Sequence, residues 1–131
     1  MVKKVSKKGN GNGKKKFKIE VVDDHVQTVI SLCQYLDNNG FETIQAYNGK
    51  EAIEKANKEN PDLIVLDIRM EGLSGYDVAR ALPKKKVLFM SGFGFEDTEV
   101  SSFKNSIGFM EKPMNLKEMV SKIKSALKIS E

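Results

Sequence analysis

Four points along this 131-residue chain carry side chains that could do chemistry together: the acid pair Asp23-Asp24, then Asp67, Ser91 and Lys112. Each closes a short apolar run: Phe17 to Val22, Leu63 to Leu66, Val87 to Met90, and Ile107 to Met110. Three carboxylates brought to one place repel, by about 4 kcal/mol for each pair 4 Å apart at an effective dielectric of 20. Such a cluster calls for a divalent cation, and few carboxylates with a backbone carbonyl and a phosphate suit Mg²⁺. A cation there also neutralises charge on a transferring phosphoryl group. A carboxylate can serve as the nucleophile, a lysine as a point charge for a phosphoryl oxygen, and a hydroxyl as a hydrogen-bond donor. Taken singly, each residue has an ordinary structural role. Asp23 or Asp24 could cap a helix, Ser91 could sit in a turn, and Lys112 is one of 22 basic residues. Four strand-end residues in the required order are hard to reconcile with coincidence.

The elements that must position them follow from hydrophobic period. Phe17 to Val22 predicts a strand. Val26, Val29, Ile30, Cys33 and Leu36 recur at helical spacing, and Gly40 ends that helix. Phe41 to Ala46 alternates as an edge strand does. Asn48 followed three residues later by Glu51 has the form of a capping box for a second helix, with Ala52, Ile53 and Ala56 as its stripe. DLIVLD, residues 62–67, is a continuous apolar run closed by an acid, the pattern of a strand buried on both faces. A short helix is expected from Tyr76 to Leu82, stopping before Pro83. Val87 to Met90 is the fourth strand, and a weakly patterned helix is expected from Glu96 to Lys104. Ile107 to Met110 is the fifth strand. Leu116, Met119, Val120, Ile123 and Leu127 predict a strongly amphipathic final helix. Five βα units in series imply a flavodoxin-like, doubly wound α/β fold, (βα)5, with a five-stranded parallel sheet in the order 2-1-3-4-5. Ligands bind at the carboxyl ends of the strands in such sheets, where the four candidate points lie.

The net charge of +4 belongs to the start of the chain. Residues 1–16 hold seven lysines and no acid, so the remainder carries about −3. With almost nothing apolar to bury, residues 1–16 are expected to be a disordered basic tail, and 17–131 the folded domain. No aromatic residue interleaves the lysines, so the tail is read as solvated or as an expression remnant rather than a nucleic-acid arm. No apolar run is long enough for a bilayer and none forms a secretory h-region. The single cysteine, Cys33, falls on an apolar helix face and reads as core, and a cytoplasmic home is expected. His25, the single histidine, reads as an exposed first-turn residue.

The segments FKIEVVDD, LIVLDIRM, FMSGFG and FMEKP resemble the four signature blocks of response-regulator receiver domains of two-component phosphorelays, the chemotaxis regulators among them. The resemblance covers nearly everything after residue 16. It implies that Asp67 is the phosphoacceptor and that Asp23, Asp24, Asp67 and the backbone carbonyl of Arg69 hold Mg²⁺. It implies that Ser91 is the switch hydroxyl, Lys112 the lysine before a proline, and Phe109 the aromatic switch position. Gly92 matches the small residue beside the phosphoryl group, and Gly75 the glycine closing the loop after the acceptor strand. Met70-Glu71 stands where the family usually has Met-Pro, which adds charge near the site. Phe109 lacks a hydroxyl, so any aromatic switch works by packing alone.

The function so implied is a signalling switch rather than an enzyme, catalysing only its own phosphoryl transfer and dephosphorylation. A histidine kinase or phosphotransfer protein would be the donor. A downstream protein would read the face made by the fourth helix, fifth strand and final helix, and a phosphorylation-dependent dimer would use the same region. Nothing but Glu131 follows the final helix, so a stand-alone or excised receiver is expected. Three other functions compete. A constitutive partner-binding module would show a lost acceptor, lysine or acid pair, and none is lost. A phosphatase or phosphotransferase working through an aspartyl-phosphate would need substrate-recognition insertions that these short loops do not supply. A nucleic-acid binder acting through the tail would show salt-dependent affinity.

Overall fold

The computed structural model describes residues 16–92 and 99–129. Its first strand, β1 (Lys18–Val22), leads into α1 (Val26–Asn38). That helix ends as the sequence suggests: Gly40 takes φ +90°, and the Phe41 N–H reaches back to the Leu36 carbonyl. Next come β2 (Glu42–Ala46) and α2 (Gly49–Glu59). Asn48 caps α2 by accepting from the Glu51 N–H at 2.8 Å, but Glu51 accepts from the Tyr47 N–H at 2.6 Å, so the box is offset by one residue.

The run read as doubly buried is β3 (Leu63–Asp67), all five residues of which are buried. The helix after it, α3 (Gly75–Ala81), begins one residue earlier than expected. Its anchor is a full capping box that the sequence reading passed over. Ser74 accepts from the Asp77 N–H, and Asp77 accepts from the Ser74 N–H.

After β4 (Lys86–Ser91) the chain departs from the (βα)5 scheme. The helix expected over Glu96 to Lys104 is absent from its described part, where only a 3-10 turn forms at Val100–Ser102. The remainder of that expected helix lies outside the described residues, as do residues 1–15 of the expected tail. Val100 and Phe103 are the apolar anchors of this turn, too few for a helical stripe. Phe103 stacks on Tyr76, and both rings meet Phe89 at about 5.5 Å between centroids. The final pair is β5 (Ser106–Glu111) and α4 (Leu116–Leu127), the latter capped by Asn115.

All strand pairs are parallel, in the order β2-β1-β3-β4-β5, as expected. Two apolar layers sandwich the sheet. Ile19, Val21, Val65 and Met90 meet α1 and α4, with Cys33 buried among them as core. Val22, Ile64, Leu66 and Phe89 meet α2, α3 and the 3-10 turn. Strand β5 carries one extra residue: Val87 opposes Ser106 but Leu88 opposes Gly108, so Ile107 is bulged out, and Gly108 takes φ +143°. Ile107 and Phe109 would share a face in a regular strand. Here Ile107 joins the α1 and α4 layer while Phe109 joins the α2 and α3 layer.

Candidate functional site

The carboxyl ends of β1, β3, β4 and β5 share one edge of the sheet, and the register sets what meets there. Asp67 is opposite Met90, and Ser91 opposite Glu111. Asp23 follows β1 directly, and its N–H is held by the Ala46 carbonyl at 3.3 Å. Lys112 follows β5, and its N–H is held by the Ser91 carbonyl at 2.7 Å. These backbone bonds bring three residues, 89 positions apart at the extremes, into side-chain contact. The Lys112 Nζ donates to Asp23 Oδ2 at 2.5 Å and lies 3.3 Å from Asp67 Oδ1. Asp23 is fully buried and Asp67 nearly so, while Lys112 retains limited access to solvent.

Charge and burial oppose one another here. Burial pushes the Asp67 carboxyl up, Asp23 beside it pushes further, and Lys112 only partly offsets them, leaving Asp67 at about 6. Burial also raises Asp23, but the Lys112 hydrogen bond and the His25 N–H outweigh it and hold Asp23 below the ordinary carboxylate range. Lys112 answers in kind: burial disfavours its charge, and its two acidic partners more than restore it, so its pKa is raised.

His25 takes the N-cap position of α1 without a side-chain cap bond. Neither Asp23 nor Asp24 is therefore used up as a helix cap. Instead the Asp23 carboxylate accepts from the His25 N–H at 2.9 Å, which aims it at the site. The exposed His25 ring is more than a bystander, since its Nδ1 lies 3.1 Å from Asp23 Oδ1 and 3.3 Å from Asp24 Oδ1. The sequence signal was there, three consecutive polar residues at a strand-to-helix turn, but nothing in their types fixed the ring's direction.

Ser91 is fully buried, and among the described residues its hydroxyl has no hydrogen-bond partner. A buried orphan hydroxyl is costly unless something else satisfies it. Arg69 stands two residues beyond Asp67, in an exposed part of the loop. Gly75 packs its backbone on the end of β3: an added Cβ would lie 2.4 Å from the Asp67 carbonyl oxygen. At Gly92 an added Cβ would meet nothing within 4 Å among the described residues. Phe109 is set back from the edge, opposite Phe89 in the α2 and α3 layer. The donor set of Asp23, Asp24 and Asp67, hard oxygen ligands beside an orphan hydroxyl, fits a small divalent cation with a phosphoryl group.

The sequence model of the response regulator receiver domain matches residues 19–124. The chain belongs to the response regulator receiver family. A receiver domain is the phosphoacceptor switch of two-component signalling. The chain is 35% identical over 120 residues to the alkaline phosphatase synthesis transcriptional regulatory protein PhoP of Bacillus subtilis, covering 87% of this chain and 50% of that protein. It is 29% identical over 115 residues to sporulation initiation phosphotransferase F of Bacillus subtilis, covering 84% of this chain and 93% of that one. The chain thus spans about half the length of the transcriptional regulators it matches, with 50% and 48% of two of them covered. Among solved structures, CheY in a CheX-CheY-BeF3-Mg²⁺ complex from Borrelia burgdorferi superposes with TM-score 0.76 at 28% identity, over 85% of this chain and 89% of that one. The receiver domain of Francisella response regulator 1452 does so with TM-score 0.77 at 26% identity, over 86% and 98%. Among the described residues no helix of this receiver is long and apolar enough to cross a membrane.

Proposed function

We propose that Asp67 accepts the phosphoryl group. The observation that carries this reading is the convergence of Asp23, Asp67 and Lys112 at the sheet's carboxyl edge, with Lys112 Nζ bridging the two acids. An Asp67 carboxylate oxygen attacks phosphorus, the P–N bond of a donor phosphohistidine breaks, and the leaving imidazole takes up a proton. Lys112 then shifts its charge from the Asp67 carboxylate to a phosphoryl oxygen, and the orphan Ser91 hydroxyl gains the acceptor it lacks. Asp23, Asp24, Asp67 and the Arg69 carbonyl would hold Mg²⁺, which supplies positive charge to the transferring group. The Borrelia structure is a complex with BeF3 and Mg²⁺, in keeping with that assignment. A separate step, attack of water on the phosphorus of the aspartyl-phosphate, breaks the P–O bond to Asp67 and releases inorganic phosphate, which makes the domain its own phosphatase.

The donor is a histidine kinase or phosphotransfer protein of the cytoplasm, approaching from the open edge. An apolar groove of about 500 Å³ lies beside Lys112, between Thr28, Ser31 and Leu32 of α1 and Pro113, Met114 and Leu116 at the start of α4, and offers it a seat. The output surface is β5, α4 and the 3-10 turn that stands where a fourth helix was expected, shared by a downstream protein or a second copy. Mass spectrometry after incubation with acetyl phosphate tests the assignment. The protein should gain one phosphoryl mass with Mg²⁺ and not with EDTA, and Asp67→Asn should gain none. Equal labelling of Asp67→Asn would move the acceptor elsewhere.

A further inference from the structure

Glu20 has no part in the phosphoryl site, yet it is the most unusual ionisable group in the domain. It sits in mid-β1, a strand paired on both sides, opposite Ile44 of β2 and Ile64 of β3. Alternation places Ile19 and Val21 on the α1 and α4 face, so Glu20 shares the α2 face with Val22. The residues α2 buries there are small, Ala52 and Ala56, and they leave depth for a longer side chain. Glu20 is fully buried, and among the described residues neither carboxylate oxygen has a hydrogen-bond partner.

The charged groups acting on Glu20 come from two elements. From α2 they are Lys55, Glu59 and Glu51, and from the segment before β4, Lys85. Neither lysine is committed to it. Lys55 Nζ donates to the Gln45 carbonyl at 2.5 Å and pairs with Glu51 at 3.4 Å, while Lys85 Nζ engages the Asn60 side chain. Burial therefore dominates, with the two lysines opposing it and the two glutamates adding to it, and the carboxyl is pushed up to about 8. In the closed domain Glu20 is a neutral acid. An ionised Glu20 needs water or a lysine, and α2 is the lid over it. The first residue of α2, Gly49, packs on Leu73 in the loop between Asp67 and α3, so a shift of α2 reaches that loop.

We propose that Glu20 is a proton-dependent latch: with its proton it lets α2 seat on the sheet, and without it α2 lifts away from β1. The sign follows from linkage. The folded state holds the proton more tightly than the unfolded chain, so stability is fully present below the ordinary 4.5 and is lost as pH rises through about 8. Between those limits the folding equilibrium constant falls about tenfold per pH unit from this group alone.

Three measurements on the purified domain test it. Glu20→Gln keeps the shape and removes the titration. In the wild type, native-state amide exchange of residues 49–59, corrected for intrinsic pH dependence, should quicken about tenfold per unit between pH 6 and 8. In Glu20→Gln it should be flat, and Glu20→Met should behave likewise. Urea unfolding should show the same contrast in the folding constant. Should neither variant fold, the wild type decides alone through the carboxyl carbon resonance of Glu20. A midpoint near 8 with quickened exchange in 49–59 supports the latch. A midpoint within a unit of 4.5, pH-independent exchange in that helix, or an unchanged slope in Glu20→Gln overturns it.

Discussion

A single methyl group at Gly75 should damage both the fold and the acceptor. Gly75 opens α3, and in a helix alanine is favoured over glycine by about 1 kcal/mol. Propensity alone therefore predicts that Gly75→Ala stabilises. Sterics predict the opposite. The new Cβ would lie 2.4 Å from the Asp67 carbonyl oxygen, 2.8 Å from Ile68 Cα and 3.0 Å from the Asp67 carbonyl carbon. All three are backbone atoms of the last residue of β3 or of the residue just after it, and the Gly75 N–H is itself bonded to the Ile68 carbonyl at 2.9 Å. No side chain can rotate out of the way, so the end of β3 must move. Overpacking of this kind costs about 1–3 kcal/mol, and rigid neighbours put Gly75→Ala near 3, a net loss of about 2 kcal/mol. Gly49→Ala is the comparison, because its new Cβ would press on the Leu73 Cβ at 2.6 Å, the Leu73 carbonyl oxygen at 3.1 Å and a Val78 methyl at 3.1 Å, so that the exposed loop at Leu73 rather than β3 has to move. Urea denaturation should rank wild type above Gly49→Ala, and Gly49→Ala above Gly75→Ala. Phosphoryl incorporation should fall only in Gly75→Ala. If Gly75→Ala unfolds at the wild-type midpoint and labels normally, the close approach of Gly75 to the acceptor strand is not a constraint.

Lys112→Ala strands the buried Asp23 carboxylate, and in EDTA it should cost about 2–4 kcal/mol by urea denaturation, part of which Mg²⁺ restores. Asp67 held at about 6 rather than 3.8 means that in EDTA the folded domain retains this proton better than the unfolded chain, so stability falls as pH rises through about 6. Asp67→Asn should abolish that fall and stabilise the metal-free domain by up to about 3 kcal/mol at pH 8, as read from urea curves at several pH values. Ser91→Ala should still accept phosphate yet show a smaller amide-exchange response to beryllofluoride over residues 99–125; an undiminished response would remove Ser91 from the switch. Deleting residues 1–16 should leave the melting temperature within a degree or two, since they offer almost no apolar surface to a core.

The sheet was readable because its signals were strong. A continuous apolar run such as DLIVLD suits few structures other than a doubly buried strand, and once strand order is set the strand-end rule brings Asp23, Asp67, Ser91 and Lys112 to one edge. Local side-chain chemistry was harder to read. Ser74 and Asp77 were not read as a cap, yet their reciprocal bonds explain why so short a helix starts cleanly. The expected helix over Glu96 to Lys104 had only a weak apolar pattern, and in its described part Phe103 joins an aromatic stack beside Arg80 rather than a helical stripe. Glu20 passed unnoticed because one acid inside an apolar strand looks like an outward residue. Only the helix laid over that face makes it inward.

The extra residue in β5 has a consequence for how this chain tolerates change in length. Ile107 is unopposed, so everything after it is one step out of phase with everything before it. Losing Ile107 would close the bulge and leave the rest of the strand in step: Ser106 and Gly108 would stand side by side opposite Val87 and Leu88, and Phe109, Met110 and Glu111 would keep Phe89, Met90 and Ser91 as partners. The cost would fall on the layer of α1 and α4, which would lose the packing of Ile107. The bulge is thus slack in the strand, and a lineage could take it up without moving Lys112 away from Asp23 and Asp67.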